Sequence, residues 1–227
     1  MRHQGLRTLD LHYPTHSVSI TQTVMSKAQR IVTLVLWSVL VLVLVGVIGA
    51  GVWSQMDALP IRWDAPSFSL TDQNNKTITD RDLRGHPYVA AFIFTQCAGP
   101  CPMMSSKMAS LQKTIRNPSV KLVSFSVDPE RDTPAVLKEY ADKFGADPKR
   151  WHFLTGPTAS IYAVAKGMRV AAQPADADSP ILHATYFILV DGNGKVREIY
   201  HGDHSEPGML ERLSHDADRL AGGIWGP

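Results

Sequence analysis

One segment restricts the architecture of this chain more than any other: the 23 residues from Ile31 to Trp53, which are almost entirely apolar. They read IVTLVLWSVLVLVLVGVIGAGVW, and no charged residue lies between Arg30 and Asp57. A helix of about 20 such residues crosses the roughly 30 Å hydrocarbon core of a bilayer. No other stretch of the sequence has comparable length and hydropathy. We therefore predict one membrane-spanning helix at 31–53.

The charges before this run predict its orientation. Arg2, Arg7, Lys27 and Arg30 precede it, against the single acid Asp10. Basic residues remain on the cytoplasmic side of a membrane, so we expect the N-terminus inside and the rest of the chain exported. A cleaved signal peptide is the alternative, but the apolar run is longer than the 7–15 residues of a typical signal core.

The expected location is the bacterial inner membrane, with the C-terminal domain in the periplasm. The alternative is the mitochondrial inner membrane, with the domain facing the intermembrane space. Without residues 1–53 the chain keeps 19 basic and 20 acidic residues, which excludes the basic surface of a nucleic-acid-binding protein. The predicted divisions are a cytoplasmic segment 1–30, the anchor 31–53, a linker 54–66, the exported domain 67–221 and a tail 222–227.

Within the exported domain, short apolar runs typical of buried strands alternate with segments of helical spacing. The predicted strands are 67–70, 77–79, Tyr88–Phe94, Val120–Val127, 151–154, Ala184–Val190 and Lys195–Tyr200. The predicted helices are Met103–Ile115, Pro134–Phe144, 157–167 and Pro207–Leu220. This order predicts an α/β domain with a thioredoxin-like fold: a mostly parallel central sheet, antiparallel edge hairpins and flanking helices.

The two cysteines of the chain lie where the first long strand gives way to a helix, in the run FTQCAGPCP. Because Pro102 suits the first helical position, we expect Cys101 at the N-cap and Cys97 on the preceding loop. The helix dipole there favours thiolate, so both sulfurs are expected to be acidic and nucleophilic. A structural disulfide across so short a loop would stabilise little, which favours redox exchange or metal binding.

A third ligand for a metal is available at His183, at the start of the strand that we expect beside the cysteine-bearing strand. An imidazole and two thiolates form a soft, low-coordinate set that suits Cu(I) and also accepts Cu(II). Asp128 follows another buried strand at the same sheet edge, so it is the candidate for supporting the ligands or contacting a partner. Met103, Met104 and Met108 have core spacing, and we expect them to pack rather than to bind copper.

Three separated motifs, FTQCAGPCP, VDPERDTP and LHATYFILVD, resemble those of the Sco/SenC family of copper-binding proteins. The resemblance spans roughly Pro66 to Leu220 and follows the same kind of single N-terminal anchor. It implies a thioredoxin-like fold and copper bound by Cys97, Cys101 and His183. One departure is the sequence Ala-Gly-Pro between the cysteines, where many members have a proline followed by an acidic residue.

The resemblance also implies a role in building the binuclear copper centre of cytochrome c oxidase subunit II, or action on another copper or thiol partner. The chain would donate copper, reduce the cysteines of that subunit, or do both. The alternative is a membrane-tethered thiol:disulfide oxidoreductase without an obligatory metal. That class usually has a CxxC motif and a proline before the facing strand, whereas this chain has CxxxC and His183, with Pro180 three residues earlier.

Overall fold

The computed structural model of the chain describes residues 26–56, 59–170, 185–203 and 207–222. It forms two compact units, Met1–Met56 and Asp57–Pro227, which are described separately. His183, the predicted third metal ligand, lies outside the described residues.

The first unit contains a single helix, α1, at Lys27–Met56. Its start is fixed by a reciprocal cap, because the Ser26 hydroxyl accepts from the Gln29 N–H at 3.2 Å and the Gln29 side chain accepts from the Ser26 N–H at 2.9 Å. Lys27–Gly49 is the one helix among the described residues that is long and apolar enough to cross a membrane. Its large apolar side chains are exposed within the unit, as expected for a lipid-facing helix.

The second unit is a mixed α/β domain. Its strands are β1 (Trp63–Asp64), β2 (Ser69–Asp72), β3 (Thr77–Thr79), β4 (Tyr88–Ile93), β5 (Lys121–Ser126), β6 (Trp151–Thr155), β7 (Tyr186–Val190) and β8 (Lys195–His201). Its helices are α2 (Pro100–Thr114), α3 (Pro134–Lys143), α4 (Thr158–Gly167) and α5 (Met209–Ala221).

The described strands form one sheet in the order β1-β8-β7-β4-β5-β6-β2-β3. The centre is parallel, β4 to β5 to β6, and the outer pairings are antiparallel. β7 lies beside β4, with Tyr88 opposite Val190 and Ala90 opposite Ile188. We predicted that the strand after His183 lies beside the strand before Cys97. The pairing of β7 with β4 confirms this.

Strand β4 has an unbroken apolar sequence because both faces of the sheet are covered. Its residues 89, 91 and 93 pack with helices α2, α3 and α5, whereas residues 88, 90 and 92 pack with α4 and the β2–β3 hairpin. Trp151, Phe92 and Phe125 are among the largest fully buried side chains. Each such burial contributes about 1.5–3 kcal/mol, so two apolar layers hold the sheet that carries the cysteines.

The sheet begins earlier than the sequence indicates. β1 lies within the segment 54–66 that was predicted as a linker, and it pairs Trp63 with Val196 and Asp64 with Lys195. The Arg197 side chain also donates to the carbonyl of Leu59. A strand of two residues is too short to show an alternating apolar pattern, which is why the sequence does not reveal it.

Candidate metal centre

The two cysteines follow the carboxyl end of β4, one on the loop and one in the first turn of α2. Gly99 is the N-cap of that helix and Pro100 its first residue, so the predicted N-cap position of Cys101 is wrong. The reason is Pro100, which lacks an N–H and has the φ of a first helical residue, and so starts the helix two residues before Pro102. Cys101 therefore points from the helix into the domain, where it is 1% exposed.

The cysteine side chains are neighbours, and both are free thiols. Cys97 is 8% exposed, and its sulfur accepts a hydrogen bond from the Gly99 N–H at 3.4 Å. Burial raises the pKa of Cys101 to about 12, which contradicts the predicted acidic thiol at that position. The apolar cluster around α2, which includes Met104, outweighs the helix dipole. Without a metal, this environment favours the protonated form of Cys101.

A buried carboxylate fixes the loop that carries Cys97. Asp132 is fully buried, and it accepts hydrogen bonds from the Thr95 N–H at 3.1 Å and from the Thr95 hydroxyl at 2.5 Å. The oxygen that accepts from the Thr95 N–H, Oδ2, also accepts from the Ser126 hydroxyl at 2.5 Å. Asp132 thereby joins the cysteine loop to the end of β5 and to Thr133, which caps α3.

Asp128, the residue that the sequence favoured for this supporting role, is buried but turned to its own loop. Its carboxylate pairs with the Arg131 guanidinium at 3.0 Å, and its N–H donates to the Ser126 hydroxyl at 3.1 Å. Burial raises the pKa of Asp128, and this outweighs the nearby Arg131. Among the described residues, Asp132 rather than Asp128 makes the hydrogen bonds to the cysteine loop. The polar residues Thr95 and Ser126 at two adjacent strand ends were the signal that the sequence offered.

Thr185, two residues after His183 in the sequence, is linked through Gly202 to α2. The N–H of Gly202 donates to the carbonyl of Thr185 at 2.6 Å, and the Lys107 ammonium donates to the carbonyl of Gly202 at 2.6 Å. Gly202 also lies in direct contact with the side chain of Met104, three residues after Cys101. The chain two residues after His183 is therefore adjacent to the helix that begins at the cysteines. The described residues alone contain no cluster of three potential metal ligands.

The methionines near the cysteines behave as the sequence predicts. Met104 and Met108 are buried in the apolar cluster under α2, and Met103 is half-buried. Tyr140 of α3 reaches the same cluster, and its hydroxyl is 3.0 Å from the Ser105 hydroxyl. Burial raises the pKa of Tyr140 to about 12, and the nearby cysteines add to the effect. The proximity of Tyr140 to the cysteines cannot be read from the sequence, because it depends on how α3 packs against α2.

The mixed sheet, with two thiols between its central strand and the following helix, defines a thioredoxin-like domain with a redox-capable or metal-binding pair. Residues 63–217 match the SCO1/SenC family model, and the chain belongs to this family. It is 33% identical over 152 residues to the SCO1 protein homolog of Bacillus subtilis (strain 168), a match that covers 65% of this chain and 79% of that protein. The sequence-based assignment to the Sco/SenC family is thus confirmed.

Two solved structures show the same fold. One is of BsSco, a member of the Sco family of cytochrome c oxidase assembly proteins in which a disulfide switch is identified; it is 31% identical, has a TM-score of 0.65, and the match covers 74% of this chain and 98% of that one. The other is Bradyrhizobium japonicum ScoI with copper bound, which is 31% identical with a TM-score of 0.59, covering 69% and 99% of the two chains. The predicted fold class is confirmed.

Proposed function

We propose that this protein is a membrane-anchored copper chaperone. In this proposal, Cys97, Cys101 and His183 bind the cargo as Cu(I) and also accept Cu(II). The recipient is the binuclear copper centre of cytochrome c oxidase subunit II. The family membership, the copper bound to the Bradyrhizobium japonicum relative and the oxidase-assembly role of the Sco family in the BsSco study support this function.

One observation carries the proposal: two free thiols side by side, at the sheet edge where β7 begins. Thiolates are soft ligands, and the narrow space between two neighbouring sulfurs suits an ion of low coordination number. His183 precedes Thr185 by two residues in the sequence, so in this proposal its imidazole comes from the chain just before β7. Thr185 bonds to Gly202, and Gly202 contacts Met104, one turn along α2 from Cys101. An imidazole from this position can complete the donor set.

Cargo release follows from the unequal burial of the two sulfurs. Both sulfurs are in the buried cluster, but Cys97 lies on the loop before α2 and is 8% exposed, while Cys101 in the first turn of α2 is 1% exposed. A thiolate of the recipient would join the copper ion from the side of Cys97, and Cys97 would leave first. Ligand exchange of this kind moves Cu(I) without a change in its oxidation state, so no external oxidant or reductant is required.

The second candidate function is reduction of a disulfide in the recipient. The observation that favours it is again the pair of neighbouring free thiols, together with the disulfide switch identified in BsSco. The Cys97 and Cys101 thiols would form a disulfide, and their two electrons and two protons would convert the partner's disulfide into two thiols. This reaction needs no ligand at His183, which separates it from copper delivery.

The membrane anchor places this chemistry outside the cytoplasm in our proposal. Helix α1 would span the bacterial inner membrane, with residues 1–30 in the cytoplasm and the domain of residues 67–221 in the periplasm. The exposed apolar side chains of α1 and the basic residues before it support this arrangement.

The variant His183→Ala distinguishes delivery from reduction. We expect it to keep most of the wild-type rate of reducing a disulfide-bonded peptide in vitro, and to lose support of oxidase activity in cells that depend on this protein. His215→Ala is the matched control, since the His215 side chain is 69% exposed on α5. Normal oxidase assembly with His183→Ala would refute copper delivery and favour the reductase function.

A further inference from the structure

Helix α3 begins beside the residue that holds the loop of one cysteine. Thr133 is the N-cap of α3 and directly follows Asp132. The Asp132 carboxylate accepts from the Thr95 N–H and hydroxyl, and Thr95 is two residues before Cys97. The loop of Cys97 and the start of α3 are therefore joined by hydrogen bonds to a buried carboxylate.

The same helix is joined to α2 by a buried pair of hydroxyls. Ser105 lies four residues after Cys101, on the same face of α2. Its hydroxyl is 3.0 Å from the hydroxyl of Tyr140 on α3, and either group can donate the hydrogen bond. Ser105 is 1% exposed and Tyr140 is 8% exposed. Within the described part of the chain, no other side-chain hydrogen bond joins α2 to α3.

The ring of Tyr140 is fixed independently of its hydroxyl. Its centroid is 4.9 Å from that of Phe144 and 6.0 Å from that of Phe153, and the ring belongs to the apolar cluster that contains both cysteines. Burial raises the pKa of Tyr140 to about 12, so the hydroxyl stays protonated at neutral pH. Tyr140→Phe would therefore keep the packing and delete only the hydrogen bond to Ser105.

Oxidation of the cysteine pair requires a movement that α3 opposes. Cys97 and Cys101 are free thiols in hydrogen-bond contact. A covalent bond between two sulfurs is shorter than such a contact, so the loop of Cys97 and the first turn of α2 must approach each other when a disulfide forms. Because α3 binds the loop on one side and α2 on the other, it resists this approach.

We propose that Ser105 and Tyr140 are positioning residues for the cysteine pair. Their hydrogen bond holds α2 against α3, and so it disfavours the disulfide relative to the two thiols. In the proposed function the dithiol is the form that binds Cu(I) and also the form that reduces a partner, so this bond keeps the pair ready for either act. The inference rests on the proposed use of the two cysteines and does not depend on a third ligand.

The test is the equilibrium of the metal-free, full-length protein in detergent with glutathione buffers, measured by trapping the free thiols. Each pair that is oxidised gives two electrons and two protons to one glutathione disulfide, which becomes two glutathione thiols. Tyr140→Phe should raise the ratio of disulfide to dithiol by about 3–10-fold in the same buffer, the range expected for one buried hydrogen bond. This change lowers the reduction potential of the pair by about 15–30 mV.

Two further variants and a control separate the hydrogen bond from general destabilisation. Ser105→Ala should raise the ratio as much as Tyr140→Phe does. The double variant should show no larger ratio than either single variant, because one bond can be lost only once, and it leaves no buried hydroxyl unpaired if a single variant folds poorly. Tyr200→Phe is the matched control, since Tyr200 belongs to the same cluster but its hydroxyl donates to Asp216 at 2.7 Å. It should keep the wild-type ratio.

Three results would overturn the role of this hydrogen bond. They are an unchanged ratio in the folded double variant, a shift in Tyr140→Phe without one in Ser105→Ala, and an equal shift in Tyr200→Phe. Each of them leaves the proposed function standing while the wild-type pair binds Cu(I) and exchanges with glutathione. A wild-type pair that does neither would refute the proposed function itself.

Discussion

A carboxylate is buried at each end of the central strands, and the two carboxylates differ in the groups that bind them. At the end away from the cysteines, Asp191 follows β7 and pairs with the Arg197 guanidinium at 2.7 Å, with both side chains less than 10% exposed. Its second oxygen accepts from the N–H groups of Asn193 and Lys195, each at 2.9 Å. At the cysteine end, Asp132 is held by two hydroxyls and one amide of Thr95 and Ser126. No cation among the described residues pairs with it.

The difference separates a stabilising end from a functional end. Arg197 neutralises Asp191 and also donates to the Leu59 carbonyl, so this cluster joins β7, β8 and the chain before β1. The donors to Asp132 are neutral and belong to the loop of Cys97 and the end of β5. A cation beside Asp132 would attract the nearby cysteine thiolates, and so it would compete with a bound metal ion for them. The loop of Cys97 is therefore held by hydrogen bonds from neutral donors to Asp132, and the cation at this end that pairs with a buried carboxylate, Arg131, bonds to Asp128 instead.

The largest effect is expected at the stabilising end. Arg197→Met leaves Asp191 buried without its cation and should lower the free energy of unfolding by about 3–5 kcal/mol, measured by urea denaturation. Lys138→Met removes an exposed ion pair with Asp142 and should cost no more than about 0.5 kcal/mol. Under conditions in which the Arg197 variant is folded, it should bind the same number of copper ions per chain as the wild type. Loss of copper by the folded variant would show that the two ends are not independent.

At the cysteine end, Asp132→Asn should lower both the free energy of unfolding and the Cu(I) affinity. The Thr95 and Ser126 hydroxyls donate to different carboxylate oxygens, so in asparagine one of them would face the amide NH2 instead of an acceptor, and we expect a loss of about 1–3 kcal/mol in stability. Cu(I) affinity should also fall, because the loop of Cys97 is released. Asp142→Asn, on the surface of α3, is the control for the change of charge. A destabilised variant with wild-type affinity would mean that Asp132 has only a structural role.

A smaller effect of opposite sign is expected for Asp128. Because burial raises its pKa, the charged form costs stability at neutral pH, and Asp128→Asn should raise the free energy of unfolding by less than about 1 kcal/mol despite the loss of the Arg131 pair. This advantage should shrink as the pH falls through the raised folded pKa toward the ordinary carboxyl value of about 3.9, where wild-type Asp128 is protonated. Thermal melts across this range measure it. A variant less stable than wild type at neutral pH would contradict the raised pKa.

Regular patterns made most of the fold predictable. The unbroken apolar run of β4 and the turn 191–194 between β7 and β8 identify these strands from sequence, because burial on both faces and tight turns leave strong local signals. The strand β1 leaves no such signal, since its pairing with β8 is set by the rest of the sheet. The start of α2 was missed by two residues because two prolines, Pro100 and Pro102, both suit a first helical position.

The site was predictable in its residue types and not in its environment. The spacing of Cys97 and Cys101 and the position of the strand after His183 follow from motif and element order. The raised pKa of Cys101 depends on how completely the core encloses the first turn of α2, which spacing alone does not reveal. The choice between Asp128 and Asp132 depends on which carboxylate turns toward Thr95, and that is settled by the tertiary packing of two loops.

The central claim is that one copper ion is bound by Cys97, Cys101 and His183, and metal analysis of the reduced full-length protein tests it most directly. We expect one Cu(I) per wild-type chain, near-complete loss in Cys97→Ser and in Cys101→Ser, and a weaker, more easily oxidised site in His183→Ala. His215→Ala should bind as the wild type does. Equal copper content in the wild type and in both cysteine variants would contradict the claim.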